Sequence, residues 1–302
     1  MKRVLLIGGM GFVGKHLAQA LAKKNISVLI PTRRREGGDS IRVNPLVDIV
    51  ETKDYDIKSL VEWMHLLGDD AVVINLAGIL HDKHGVPYGP EFTKTHVEFP
   101  RTVVAAMKQV GLTRLIHMSA LGADPSGPSM YLRSKGDGES VVKNSGLDWT
   151  IFRPSVMFGE DDTFVNMFGS LLKIFPIMPL AGAHAKFQPV FVGDVAEAFA
   201  QAVNDYESIG KIFELGGPSI YTLAEIVRIA GLKVGKNRPI IPLPNWMAYL
   251  QAGALEHMPG RTLMSRDNLA SMQKDNVLSS PDQNVLMSHF GIHPTPLESV
   301  LT

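Results

Sequence analysis

Along the first half of the chain, short runs of consecutive apolar residues alternate with longer segments whose apolar positions recur every three or four residues. Unbroken apolar runs suit strands buried on both faces, and the longer period suits helices packed over those faces. Read this way, Val4-Leu5-Leu6-Ile7 opens a series of strands predicted over 4–7, 27–31, 71–76, 115–119 and 150–152. Helices are predicted between them over 14–24, 58–67, 99–110 and 135–145. Regular alternation of this kind predicts an α/β protein with a doubly wound parallel sheet and helices on both sides.

After Arg153-Pro154 the texture changes, and prolines, glycines and methionines become common. Residues 1–155 are therefore assigned to the sheet domain, with a returning segment near 187–217, and 156–302 to a smaller C-terminal α/β lobe for a substrate or partner. Within the lobe, strands are predicted over 188–192 and 212–215, with helices over 194–203 and 222–230. Thr222 is placed to cap the last of these, with Glu225 completing a capping box. Phe164, Met167, Phe168 and Phe175 hint at an apolar substrate cavity, although such residues also serve as core. The acidic pair Asp161-Asp162 reads as a solvated turn. The segment 245–259, with Trp246, Met247, Tyr249 and Leu250, reads as an amphipathic helix facing either the protein's own core or a membrane or partner surface.

Composition narrows the classes. Being 45% hydrophobic and 20% charged over 302 residues, the chain can bury a substantial core. Its 30 basic residues balance 30 acidic ones, so net charge gives no case for nucleic acid or an anionic membrane as the main partner, and local clusters must carry any such case. The cysteine count of 0 removes disulfides, thiolate nucleophiles and cysteine-ligated metals. The first apolar run is too short for a signal peptide, and no stretch is long enough to span a bilayer. A cytoplasmic location is expected, with any membrane role peripheral, at the inner face.

The sharpest motif is Gly8-Gly9-Met10-Gly11-Phe12-Val13-Gly14, lying between the first predicted strand and helix. Glycines permit the tight turn and close approach of backbone to a pyrophosphate, whose charge the helix N-terminus favours. This is the dinucleotide-binding signature of a Rossmann fold, with Gly8, Gly11, Phe12, Val13 and Gly14 as cofactor contacts. In folds that prefer NAD(H), a carboxylate ends the second strand and binds the ribose 2′-hydroxyl. Here the segment reads Thr32-Arg33-Arg34-Arg35 before Glu36. Arg33 and Arg34 could pair with a 2′-phosphate, so NADP(H) is expected over NAD(H).

That loop, together with Asn75-Leu76-Ala77-Gly78 and Tyr131-Leu132-Arg133-Ser134-Lys135, resembles the extended short-chain dehydrogenase/reductase superfamily. The stretches 115–123, Arg153-Pro154-Ser155, Phe158-Gly159, Gly216-Gly217-Pro218, Arg266-Asp267-Asn268 and Asp275-Asn276-Val277 are similar to its atypical branch, which contains an accessory subunit of mitochondrial complex I and bacterial relatives. The resemblance implies cofactor contacts at Leu76, Ala77, Gly78, Ser119, Lys135 and Pro154. It also implies Tyr131, Lys135 and Ser119 as the catalytic group, with a lysine ammonium one helical turn away favouring the phenolate of Tyr131. Two positions depart from the superfamily's pattern: Leu121 stands where a serine or threonine is usual, and His96 where many members have asparagine.

His81, Asp82, His84 and His96 match no familiar metal spacing and read as a polar loop near the site, so no metal is expected. The leading expectation is an NADP(H)-binding oxidoreductase acting on a small, apolar carbonyl, alcohol or quinone-like substrate. A non-catalytic NADPH-bound structural or assembly module of a respiratory complex is the alternative. A nucleotide-sugar epimerase or dehydratase is a third, which the arginines do not favour.

Overall fold

The computed structural model describes residues 2–33, 43–256 and 264–301. Arg34 and Arg35 therefore lie outside the described residues. Seven strands form one sheet: β1 (Arg3–Ile7), β2 (Ser27–Thr32), β3 (Val47–Glu51), β4 (Val72–Asn75), β5 (Arg114–Met118), β6 (Asp148–Pro154) and β7 (Lys211–Leu215). Their order is β7-β6-β5-β4-β1-β2-β3, every pair parallel. The expected α/β doubly wound Rossmann architecture is thus present, and the order reverses between β1 and β4, where ligands bind in such sheets.

Burial on both faces explains why the strands read as unbroken apolar runs. Val4 and Leu6 of β1 join Val28, Ile30, Val72 and Ile74 in one core. Leu5 and Ile7 point the other way, joining Leu29, Val73, Leu115 and Ile151. The first core is closed by helices α1 (Phe12–Lys23) and, later in the chain, Val192–Ala202; the second by α2 (Ile57–Leu67) and α3 (Phe99–Val110). Strand β3 went unpredicted because it is an edge strand with only Val47 fully buried and acids at Asp48 and Glu51, so its pattern carries little apolar signal.

Helix α4 (Met130–Lys143) starts five residues before the helix expected over 135–145, because Ser129 caps it by accepting from Leu132 N at 3.1 Å. Beyond β6 come α5 (Phe164–Ile174), α6 (Val192–Ala202), α7 (Leu223–Lys233) and α8 (Asn245–Glu256). Phe158, Val165, Phe168, Leu172, Ile226 and Val227 make the core between α5 and α7. The Met and Phe cluster read as a possible cavity lining is largely this core, with Phe175 on the surface. Asp162 is not solvated as expected: it is buried, accepting from Val165 N at 2.6 Å to hold the start of α5. The capping box at Thr222 and Glu225 is formed. In α8 the expectation that apolar residues face inward fails for the large ones, since Ala248, Ala252 and Gly253 are buried while Trp246, Tyr249 and Leu250 are exposed. None of the described helices is long and apolar enough to cross a membrane.

Candidate dinucleotide and active site

Because all seven strands run the same way, the turns after β1, β4, β5 and β6 meet along one edge of the sheet. Gly8 ends β1 with φ at 82°, a left-handed conformation that disfavours a side chain. Gly11 N donates to Gly8 O at 3.0 Å, closing the turn into α1. At Gly14 a Cβ would run into Gly9 and Gly8 O, so helix and loop touch backbone to backbone. Gly11 is different. Its backbone is extended (φ −76°, ψ 176°), and an added Cβ would meet only Gly8 O, at 3.3 Å. Glycine there leaves the outer side of the loop open, as close approach of a phosphate would need. No side chain caps α1 among the described residues, and its first turn holds no acid, which leaves the positive end of the helix to an anion.

The turn after β4 packs directly on this loop. A Cβ on Gly8 would lie 3.3 Å from Leu76, and one on Gly78 would lie 3.6 Å from His96 Nε2 and 4.0 Å from Lys135 Nζ. Asn75 fixes the turn: its Oδ1 accepts from Ala77 N at 3.0 Å, leaving Nδ2 to donate to His117 Nδ1 at 3.3 Å. His117 is thereby neutral, and burial, with the nearby Lys135 charge, pushes its pKa down to about 3.

His96 occupies the asparagine position and sits in a π-helical turn, Thr93–Glu98, that leads into α3. Its Nε2 accepts from Ile79 N at 3.1 Å, so the proton is on Nδ1, which donates to Ser134 Oγ at 2.8 Å; that hydroxyl donates onward to Tyr131 O at 2.9 Å. Burial, aided by Lys135 and His117, lowers the His96 pKa to about 2. An imidazole neutral at physiological pH thus ties the turn after β4 to the first turn of α4. The rings of Phe92, His96 and Tyr131 pack together, with 5.8 Å between the last two centroids.

Lys135 is buried and donates to Met118 O at 2.7 Å, at the end of β5. Desolvation brings its pKa down to about 8, against the opposing field of Glu139. Burial alone pushes the Tyr131 phenol up to about 12. One donor of the Lys135 ammonium is thus engaged by the Met118 carbonyl, and burial favours the protonated phenol of Tyr131. Next to that carbonyl, Ser119 is buried and its Oγ has no hydrogen-bond partner among the described residues. An unpaired buried hydroxyl costs about 1–3 kcal/mol, a cost that a bound polar group would relieve. Pro154 ends β6 beside it, its carbonyl accepting from Leu121 N at 3.0 Å. Leu121 is buried and apolar, so it brings no polar group to the serine position it fills.

Two further groups position α4 and were not singled out as site residues from sequence. Glu139, fully buried, receives both Arg153 Nε and Nη2 at 2.7 Å, locking the helix to β6. Asp267 accepts from Met130 N at 2.6 Å and from Tyr131 N at 3.0 Å, so a carboxylate from 136 positions further along the chain grips the start of the tyrosine helix. Ser271 adds a hydrogen bond to Ser129 at 2.8 Å. The Arg266-Asp267-Asn268 resemblance was the one signal available for this clamp. Arg33 stands exposed just beyond β2.

The glycine loop, the turn after β4, and Ser119 with the Lys135 contact at the end of β5 therefore lie along one edge of the sheet. Residues 8–170 match the family model described as NAD(P)H-binding. The chain is 35% identical over 230 residues to subunit 9 of the NADH dehydrogenase (ubiquinone) 1 alpha subcomplex of Arabidopsis thaliana mitochondria, covering 74% of this chain and 56% of that protein. It thus spans little more than half the length of that relative. It is 28% identical over 258 residues to a ceramide reductase of Caulobacter vibrioides, covering 83% of this chain and 76% of that one. In three dimensions it resembles an NADPH-dependent quinone oxidoreductase of Escherichia coli with a TM-score of 0.70 at 19% identity, covering 98% of each chain.

Proposed function

The chain belongs to the NAD(P)H-binding family, with complex I subunits among its relatives, and on that premise we propose that it is an NADP(H)-dependent oxidoreductase that reduces an apolar carbonyl or quinone-like substrate. The carrying observations are the Tyr131 phenol, whose pKa burial raises to about 12, and the buried Ser119 hydroxyl, without a hydrogen-bond partner among the described residues, on the sheet edge where the glycine loop lies. A nicotinamide bound along the glycine loop and Lys135 would supply the hydride. Tyr131 donates its proton to the substrate oxygen as negative charge builds there, and Ser119 Oγ hydrogen-bonds the same oxygen. Lys135 holds the cofactor ribose, and its positive charge stabilises the phenolate left after proton transfer. The raised pKa keeps the phenol protonated at neutral pH, the state that donates to a carbonyl oxygen in the reductive direction. Reduction should weaken above about pH 8 as Lys135 loses its proton. The NADP(H) preference rests on Arg33 and the absence of a carboxylate at the end of β2.

The test is NADPH oxidation by purified protein with long-chain ketones and quinones, alongside identification of any nucleotide released on denaturation. Tyr131→Phe should lower turnover about 100-fold or more while nucleotide affinity stays within about twofold. Unchanged turnover in that variant would sink the mechanism, and released NAD instead of NADP would sink the cofactor reading. A second reading, an NADPH-bound structural or assembly module of a respiratory complex, is favoured by the names of the complex I relatives. It predicts bound NADPH that no substrate in the panel oxidises.

A further inference from the structure

Beyond α5 the chain carries a face that is uncovered among the described residues. The strand Ile240–Pro242 pairs with Met178–Leu180. Leu243 N donates to Leu180 O at 3.0 Å, and Gln251 Nε2 to Pro179 O at 3.2 Å. These contacts bring the end of α5, the Ile240–Pro242 strand and α8 side by side. The large apolar side chains they share point outward: Ile174 is 73% exposed, Trp246 67% and Leu250 66%, with Phe175, Ile177, Ile241 and Tyr249 about half exposed. Helix α8 buries only small residues, Ala248, Ala252 and Gly253, against the protein, so its bulk was not selected by the internal core.

Charge says what covers the face. No Asp or Glu occurs between residues 163 and 193 or between 226 and 255, although the whole chain is neutral. The cations in those stretches include Lys173, Lys233, Lys236 and Arg238, which neighbour the apolar residues in sequence on α5 and between α7 and α8. Lysine is depleted in protein interfaces, whereas apolar and aromatic side chains accompanied by lysine and arginine, with no acid, match an anionic bilayer surface. Tryptophan and tyrosine sit at the polar boundary of such a surface.

We propose that the face formed by α8, Ile240–Pro242 and the end of α5 docks peripherally on an anionic lipid bilayer. This stands apart from the redox reading above, since it uses none of the residues of that site. Docking inserts Trp246, Leu250, Ile174 and Phe175 among the headgroups and holds the exposed Lys173, Lys233 and Lys236 against lipid phosphates.

The experiment is flotation of the full chain with vesicles of phosphatidylcholine alone and of phosphatidylcholine mixed with phosphatidylglycerol, at low and high salt. Binding is expected to the mixed vesicles at low salt, with a several-fold fall at high salt or without phosphatidylglycerol. Trp246→Ser combined with Leu250→Ser should lower partitioning about tenfold or more. Lys173→Glu with Lys236→Glu should reduce it to the level of phosphatidylcholine alone. These side chains are exposed, and an unchanged melting temperature with NADPH shows that each variant is folded. Tryptophan emission should shift to the blue on vesicle binding, and Trp246→Phe should abolish the shift, since the other two tryptophans, Trp63 and Trp149, lie against the sheet core. Wild-type protein that stays in the soluble fraction with mixed vesicles at low salt overturns the proposal. So does a double serine variant that floats like wild type, or a soluble complex that buries α8 without any vesicle binding, which would give the face to a protein.

Discussion

The glycine loop and the tyrosine centre share one sheet edge but are held in opposite ways. The loop is positioned by its immediate neighbours in sequence: Gly11 N bonds Gly8 O, and Gly14 touches Gly9. The tyrosine centre is assembled from afar, with His96 reaching Ser134 and Asp267 reaching Tyr131 across 38 and 136 positions. The loop contacts are backbone and have no titratable group. The centre is held by neutral imidazoles, a desolvated lysine and a buried ion pair. A local device survives most changes elsewhere, whereas an assembled one is sensitive to pH and to distant substitutions.

Acid should therefore break the second region before the first, and this is the largest effect expected. His96 and His117 have an ordinary pKa of 6.5 when unfolded and folded values lowered by burial to about 2 and about 3. Between those limits the unfolded chain binds the protons and the folded one does not. Stability is thus complete above pH 6.5 and is lost as pH falls toward the folded values, at up to about 2.7 kcal/mol per pH unit for two groups. Denaturant titrations from neutral pH down to about pH 4 should show that slope, and His117→Gln should roughly halve it. A profile that stays flat would mean that the imidazoles are not held neutral as described.

The complementary disturbance is Gly14→Ala. Its methyl group has backbone on the loop side, where nothing flexible can yield. A cost of about 3 kcal/mol in stability is expected, together with nucleotide affinity on the order of 100-fold weaker, measured by calorimetry. The pH slope set by His96 and His117 should be untouched. If Gly14→Ala leaves nucleotide binding intact, the loop is not the phosphate site.

This contrast also explains what could be read from sequence. The unbroken apolar strands and the glycine spacing record local demands, so six of the seven sheet strands and the nucleotide loop were legible. Strand β3 was hidden because an edge strand needs little apolar signal. The protonation of Tyr131 was hidden for a different reason. Spacing puts Lys135 one turn from the phenol, but only the fold shows that the phenol is buried and that Met118 O engages one donor of the ammonium. Likewise His96 could be recognised as a departure, while its role as a neutral tie depends on Ile79 N and Ser134 Oγ, which lie on two other segments. In α8 the apolar pattern was clear, and which side of it faced solvent was not.

Asp267→Asn gives the smallest effect and the cleanest separation of the two regions. The carboxylate accepts from two backbone N–H groups at the start of α4 and places negative charge at that helix's positive end. Asparagine keeps one acceptor and loses the charge, at a cost of about 1–2 kcal/mol. Because the freed N–H belongs to the first turn, the displacement falls on Tyr131 and not on the glycine loop. Turnover should drop about tenfold, since small misplacements of a reacting group are costly, while NADPH affinity stays within about twofold. A variant that loses nucleotide affinity and turnover together would show that the Asp267 contact supports the whole site. One that loses neither would show that Ser129 alone suffices to set the tyrosine helix.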